Sequence, residues 1–134
     1  MVDLVFIFDS SYVTPTIVSA ISAISNNDEK LKFHFVFPEI DNQAALILKK
    51  EMLAQDAEIE FYPVSDKYID QFILGEVAAR RTGNQSQPMN RTVFLKLCLA
   101  EILKLKKCLF IDGDTIIGNC LSRIYATKLE GRYV

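Results

Sequence analysis

The chain is predicted to fold as α/β, around a doubly wound and mostly parallel sheet, and three observations carry that prediction. Short apolar runs without polar alternation recur along the chain, as strands buried on both faces do. Between them lie segments whose apolar residues fall at helical spacing. Acidic residues close the first and last of these runs, at the strand ends where such sheets bind ligands. Of the 134 residues, 50% are hydrophobic and 24% charged, which describes a single domain, 1–134, able to close a core without disulfide or metal staples.

Residues 3 to 8, Asp-Leu-Val-Phe-Ile-Phe, make the first strand, with Asp9 at its carboxyl end. Thr14 and Pro15 read as N-cap and first helical residue, and Ile17, Val18, Ile21 and Ile24 keep helical spacing until Asn26 and Asn27 stop it. Leu31 to Phe37 is a second strand, ended by Pro38. Asp41 is placed to cap a helix running to about Gln55, with Ala44, Ile47, Leu48 and Met52 facing the sheet. Ile59 to Val64 gives a third strand, Asp66 to Leu74 a short helix, and Arg80 to Asn90 a polar loop by composition. Phe94, Leu95, Cys98, Leu99 and Ile102 form one stripe on a helix from Arg91 to about Leu103. A fourth buried strand, Lys107 to Ile111, runs straight into Asp112-Gly113-Asp114. A helical turn is expected between Asn119 and Leu129, before Gly131, and Arg132-Tyr133-Val134 reads as the start of another strand. Right-handed connections then give a Rossmann-like sheet with Asp9 and the Asp112/Asp114 pair on one crevice.

Composition excludes several classes of function. Lys and Arg number 15 against 17 Asp and Glu, for a net charge of −2, and the isoelectric point is near 5.4. Nucleic acid is therefore not an expected partner, since phosphate-tracking surfaces carry a clustered positive excess. No run approaches the roughly 18 apolar residues of a membrane span. The apolar start is broken by Asp3, Asp9 and Pro15 and has no basic leader, so no signal peptide and a cytoplasmic location are expected. Cys98, Cys108 and Cys120 lack the paired spacing of zinc ligands and are expected to be reduced structural thiols.

The sharpest chemical feature is Asp112 with Asp114. In an extended chain residues i and i+2 point to one side about 6.6–7 Å apart, within reach of one hard divalent cation or its waters. Two such ligands leave Mg²⁺ or Mn²⁺ mostly hydrated, so a phosphate-bearing substrate would complete the shell. Gly113 between them leaves the backbone open to a ligand. An ordinary turn with solvated acids is the competing reading. Asp9 can accept hydrogen bonds from a base or ribose and Tyr12 can stack on a base, against a plain Asx or Ser turn through Ser10 and Ser11. Lys96 interrupts an apolar helix and can offset a diphosphate, against a solvated helix lysine. Arg80, Arg81 and Arg91 are better read as solvated, and His34, the single histidine, as a hydrogen-bonded sheet residue. No glycine occurs between Asp9 and Thr14, which speaks against an NAD-type or P-loop site.

Three segments resemble the family 8 glycosyltransferases. They are Val5-Phe6-Ile7-Phe8-Asp9-Ser10-Ser11-Tyr12 with Val18-Ser19-Ala20-Ile21-Ser22, then Lys32-Phe33-His34-Phe35, then Phe94-Leu95-Lys96-Leu97 leading to Cys108-Leu109-Phe110-Ile111-Asp112-Gly113-Asp114-Thr115. The resemblance implies a GT-A nucleotide-sugar fold and a retaining, metal-dependent enzyme that moves a hexose from a UDP-sugar to a glycan or lipopolysaccharide-type acceptor. It implies that the Ile7 main chain and Asp9 meet uracil, that Tyr12 stacks on it, and that Ser11 lies near the nucleoside. It further implies that Asp112 and Asp114 bind Mn²⁺ or Mg²⁺ at the diphosphate, with the Gly113 main chain near the ribose and Lys96 near the donor. Ser11 stands where the family usually has Asn, and Lys96 where it has Arg.

Family members also continue to a late histidine, a further metal ligand, and a lysine that meets the diphosphate; neither has a counterpart here. The chain thus looks like the donor half of such an enzyme, truncated at the C-terminus, and an exposed sheet edge makes a homo-oligomer or a completing partner chain the expectation. Two other functions stay open: a non-catalytic nucleotide-sugar-binding module, and a haloacid dehalogenase-like phosphatase, whose nucleophile strand Phe110 to Thr115 superficially resembles.

Overall fold

The computed structural model describes residues 1–71 and 91–129. Strands β1 (Val2–Ile7), β2 (Leu31–Pro38), β3 (Glu58–Val64) and β4 (Leu109–Ile111) form one sheet in the order β3-β2-β1-β4. Every pairing in it is parallel. The helices are α1 (Val13–Ser25), α2 (Asn42–Leu53), α3 (residues 66–71), α4 (Arg91–Leu103) and α5 (Ser122–Tyr125). Among the described residues no helix is long and apolar enough to cross a membrane. The expected loop from Arg80 to Asn90, the end of the helix toward Leu74, and the strand at Arg132–Val134 lie outside the described residues.

The absence of alternation in β1 and β2 has the predicted cause: both faces are covered. Phe6, Phe8, Phe33, Phe35 and Phe37 face one side, where Phe6 and Phe35 pack 5.8 Å apart and Phe8 and Phe37 5.2 Å apart, beneath Ala20 and Ala23 of α1 and Ala44, Ala45, Leu48 and Met52 of α2. Small residues on the helices let them sit close to this aromatic layer. Val5, Ile7 and Val36 face the other side and meet Ile69 of α3 and Leu95 and Leu103 of α4. Helices on both faces make the sheet doubly wound, as expected. Strand order reverses between β1 and β4, which sets a crevice outside their carboxyl ends.

Several local expectations are corrected. Thr14 does not cap α1: the turn in which Tyr12 N–H donates to Asp9 O (3.0 Å) delivers the chain directly, Tyr12 is the N-cap, and its carbonyl takes the first helical bond from Thr16. Pro15 is then the third helical residue, where its missing N–H still costs no bond. Asp41 holds the N-cap position of α2 without a side-chain cap bond, because its Oδ1 instead accepts from Ser10 N–H at 3.1 Å. Ile47 points outward at 55% exposed, and Ala45 takes the inner position. Strand β4 is half-buried rather than fully buried, since it pairs only with β1 among the described residues.

Asn26 and Asn27 do stop α1, and they do more. Asn26 Nδ2 donates both to Ser22 O (2.9 Å) and to Ile117 O (3.0 Å), while Asn27 Oδ1 accepts from Leu121 N–H at 2.6 Å. Ser22 Oγ accepts from Ile117 N–H at 2.9 Å. The segment after β4 is thereby clamped along the carboxyl half of α1. At the amino end of the strands, Tyr125 of α5 donates to Asp3 Oδ2 at 2.9 Å, and buried His34 sits between Asp3 Oδ1 (2.9 Å) and the Tyr62 hydroxyl (3.1 Å). This is the hydrogen-bonded sheet histidine the sequence predicts.

Candidate functional site

Three chain segments meet at the β1/β4 crevice and enclose a cleft of about 260 Å³. Ile7, Phe8, Asp9 and Tyr12 come from β1 and the turn after it, Thr92, Val93 and Lys96 from the first turns of α4, and Asp112, Gly113 and Asp114 from the turn after β4. Ordinary small-molecule pockets run from about 300 to 1,000 Å³, so the cleft matches one portion of a larger ligand.

The β1 side is fixed by its own polar groups. Asp9 Oδ1 accepts from the Ser11 amide at 3.0 Å and from the Ser11 hydroxyl at 2.5 Å, an Asx turn of the kind its sequence allows. Asp41 holds the Ser10 amide from α2. Tyr12 emerges from this turn 44% exposed and lines the cleft. Ser11 is not among the lining residues, and its hydroxyl is spent on Asp9.

On the β4 side, Asp112 and Asp114 are not in extended chain. Thr115 N–H donates to Asp112 O at 3.0 Å, so residues 112–115 close a tight turn, and both aspartates line the cleft from it. The separation expected for an extended i, i+2 pair therefore does not apply. Gly113 is buried at the centre of this turn, where a Cβ would stand 2.5 Å from Thr16 Oγ1 of α1. The glycine is demanded by helix packing in addition to any ligand approaching the backbone.

Lys96 is exposed, as a solvated helix lysine would be, yet its ammonium has partners. Its Nζ lies 2.7 Å from Asp112 Oδ1 and 4.8 Å above the ring of Phe110. Of the site residues the sequence nominates, the structure thus brings Ile7, Asp9, Tyr12, Lys96, Asp112, Gly113 and Asp114 to one cleft and leaves Ser11 behind it. Phe8, Thr92 and Val93 also line the cleft and were not nominated. Thr92 stands four residues before Lys96, on the same helix face, which is the one signal that pointed to it. The side chain of Arg91, and Arg80 and Arg81 altogether, lie outside the described residues.

Three acidic residues, Asp9, Asp112 and Asp114, and one lysine, Lys96, line the cleft. Such a surface repels a free phosphate and attracts cations. No third His, Cys, Asp or Glu joins Asp112 and Asp114 in a metal-binding group among the described residues. Two hard oxygen donors from a rigid turn nonetheless fit Mg²⁺ or Mn²⁺, which keep several waters and take phosphate oxygens from a substrate.

A family model described as glycosyl transferase family 8 matches residues 3–134. Comparison with curated proteins gives no significant match. Among solved structures the chain is similar to galactosyltransferase LgtC in complex with donor and acceptor sugar analogs, with 21% identity, a TM-score of 0.72, and coverage of 95% of this chain and 43% of that one. It is also similar to the bifunctional glycosyltransferase WbbM in its apo form, at 16% identity and TM-score 0.66, covering 96% of this chain and 21% of that one. Mouse xyloside xylosyltransferase 1, apo form, matches at 16% identity and TM-score 0.63, with 92% of this chain and 48% of that chain covered. The chain therefore spans less than half the length of each.

Proposed function

The chain belongs to glycosyltransferase family 8 and has the GT-A fold, and from that premise we propose that the cleft binds the donor of a UDP-hexose-dependent transferase whose acceptor is a glycan or lipopolysaccharide-type saccharide. The observation that carries this reading is the convergence of Asp9, Tyr12, Lys96, Asp112 and Asp114 on one cleft at the strand-order reversal. In this reading residues 1–134 act as one donor-binding domain.

Each residue has a task suited to its chemistry. The Ile7 main chain and Asp9, whose turn is braced by Ser11 and Asp41, fix the uracil edge, and Tyr12 covers its face. The Gly113 main chain borders the ribose. Asp112 and Asp114 hold Mn²⁺ or Mg²⁺, without which three carboxylates would repel a diphosphate. When bound, the metal supplies the positive charge that stabilises the departing UDP as the anomeric bond breaks. Lys96 adds a point charge to the same end of the cleft. The protein is taken to be cytoplasmic, in keeping with the free thiols of Cys98, Cys108 and Cys120, and to self-associate or meet a partner chain at its sheet edge.

Calorimetric titration of UDP with and without Mn²⁺ tests the reading. Binding is expected only with the metal, and Asp112→Asn with Asp114→Asn should weaken it at least about tenfold, the loss of two charge-assisted ligands. Metal-independent binding, or unchanged affinity in the double variant, would overturn the site assignment.

A further inference from the structure

The ion pair between Lys96 and Asp112 has no role in fixing the fold that a neutral pair would not serve. Ammonium and carboxylate are 43% and 60% exposed, and exposed pairs of this kind stabilise folds little. Its location is what gives it meaning. Asp112 is one of two carboxylates assigned above to a divalent cation, and the inference rests on that assignment. An ammonium 2.7 Å from Asp112 Oδ1 occupies the space and neutralises the charge that such a cation would use. The two share the carboxylate only against a mutual repulsion that solvent moderates at this exposure.

The lysine is also built to move. Its stem rises from α4, a different element from the turn that carries Asp112, and its head rests over the Phe110 ring at 4.8 Å. A flexible four-carbon stem can keep that aromatic contact while the ammonium turns toward another anion in the same cleft.

We propose that Lys96 is the resident counter-ion of the cation site: it neutralises Asp112 while no metal is bound, gives way to the metal, and is thereby freed to meet the diphosphate. Lys96 is then a positioning residue that links metal binding to nucleotide binding. It weakens the metal taken alone and strengthens the benefit that metal gives to UDP, since any coupling between two ligands is reciprocal.

The test is titration of the full chain with Mn²⁺ alone, read by the electron paramagnetic resonance of free Mn²⁺, followed by UDP titrations at zero and saturating Mn²⁺. Wild type, Lys96→Met and Lys96→Arg are compared, with thermal melts to verify folding. Lys96→Met should bind Mn²⁺ alone about two- to fivefold more tightly, the range exposed ion pairs support, and should show a smaller Mn²⁺-dependent gain in UDP affinity. Lys96→Arg should restore wild-type metal affinity. Unchanged or weaker Mn²⁺ binding by Lys96→Met overturns the counter-ion role, and if wild type still binds UDP with Mn²⁺ the donor-site reading survives that result. Tighter Mn²⁺ binding by Lys96→Met in a chain that never binds UDP supports the counter-ion role and removes the donor reading. Wild-type protein that binds no Mn²⁺ either alone or in the presence of UDP overturns both.

Discussion

Gly113 and Thr16 are in packing contact across the α1/β4 junction: a Cβ on Gly113 would lie 2.5 Å from Thr16 Oγ1. Thr16 is fully buried, and its hydroxyl makes no hydrogen bond among the described residues. The turn that carries Asp112 and Asp114 is therefore seated on the first turn of α1, while Ser22, Asn26 and Asn27 clamp the segment that follows. Gly113→Ala should destabilise the chain by about 1–3 kcal/mol, the usual range for overpacking. Adding Thr16→Ala should recover part of that loss, and urea denaturation of the two single variants and the double variant measures the coupling. Strict additivity would show that the methyl group meets something else.

Tyr12 is held by the Asp9 turn and exposed along the cleft. Tyr12→Ala should weaken UDP binding by roughly 5- to 150-fold, corresponding to about 1–3 kcal/mol for a stacked base. Tyr12→Phe should keep most of the affinity, because in the proposed donor site the ring face and not the hydroxyl would make the contact. Calorimetry in the presence of Mn²⁺ distinguishes the two, and equal losses in both variants would argue against stacking.

Stability should fall toward acid through Glu60 on β3 and toward alkali through Lys32 on β2 and three tyrosines, Tyr62, Tyr68 and Tyr125. The hydrogen bond from Lys32, and then that from Tyr62, hold the Glu60 carboxyl below its ordinary value of 4.5. Its stabilising contribution is present above that value and is lost as pH falls through the lower folded one. Lys32 is raised above 10.5, first by its hydrogen bond to Glu60, so its contribution is complete below 10.5 and is lost as pH rises through the folded value. Tyr62 is raised chiefly by burial, Tyr68 to about 12 chiefly by its bond to Glu101, and Tyr125 chiefly by burial. The unfolded chain releases these phenolic protons near pH 10.0 while the folded chain retains them, so stability declines further on the alkaline side. Melting temperature against pH should show both limbs, and Glu60→Gln should flatten the acid one.

Lys104 ends α4 at φ 50°, in the left-handed region, with its N–H donating to Ala100 O at 3.3 Å. Left-handed backbone costs an ordinary residue about 1–2 kcal/mol and glycine almost nothing, although glycine gives back part of this through a freer unfolded chain. Lys104→Gly should raise stability by about 0.5–1 kcal/mol, and Lys104→Val should lower it. Chemical denaturation reads both, and a destabilised glycine variant would mean that the lysine side chain contributes more than its backbone strain costs.

How these predictions divide between sequence and structure follows from what each reports. The apolar runs at residues 3 to 8 and Leu31 to Phe37, observed as strands Val2–Ile7 and Leu31–Pro38, and the stripe through Phe94, Leu95 and Cys98 are legible because period and polarity record which faces leave water. Asp9 and Asp112 were legible as strand-end acids for the same reason, and the family resemblance rested on those runs and their spacing. Periodicity does not say which partner covers a face. Ile47 and Ala45 both fit the sheet side of α2 by spacing, and in the packed structure Ala45 is buried while Ile47 is exposed. Asp41 is a good cap by composition, yet a loop 31 residues away in sequence offers its carboxylate a better partner in Ser10.

The site itself divides in the same way. Sequence determined the donor types, two carboxylates around a glycine after an apolar strand, because residue identity alone sets their charge and hardness. Only the tertiary structure decided that those carboxylates sit in a closed turn, that Gly113 answers to Thr16, and that Lys96 of α4 reaches Asp112 across 16 positions of chain. Such contacts depend on how α1 and α4 cross the sheet, and that geometry is fixed by the sum of many packing contacts and is written at no single position.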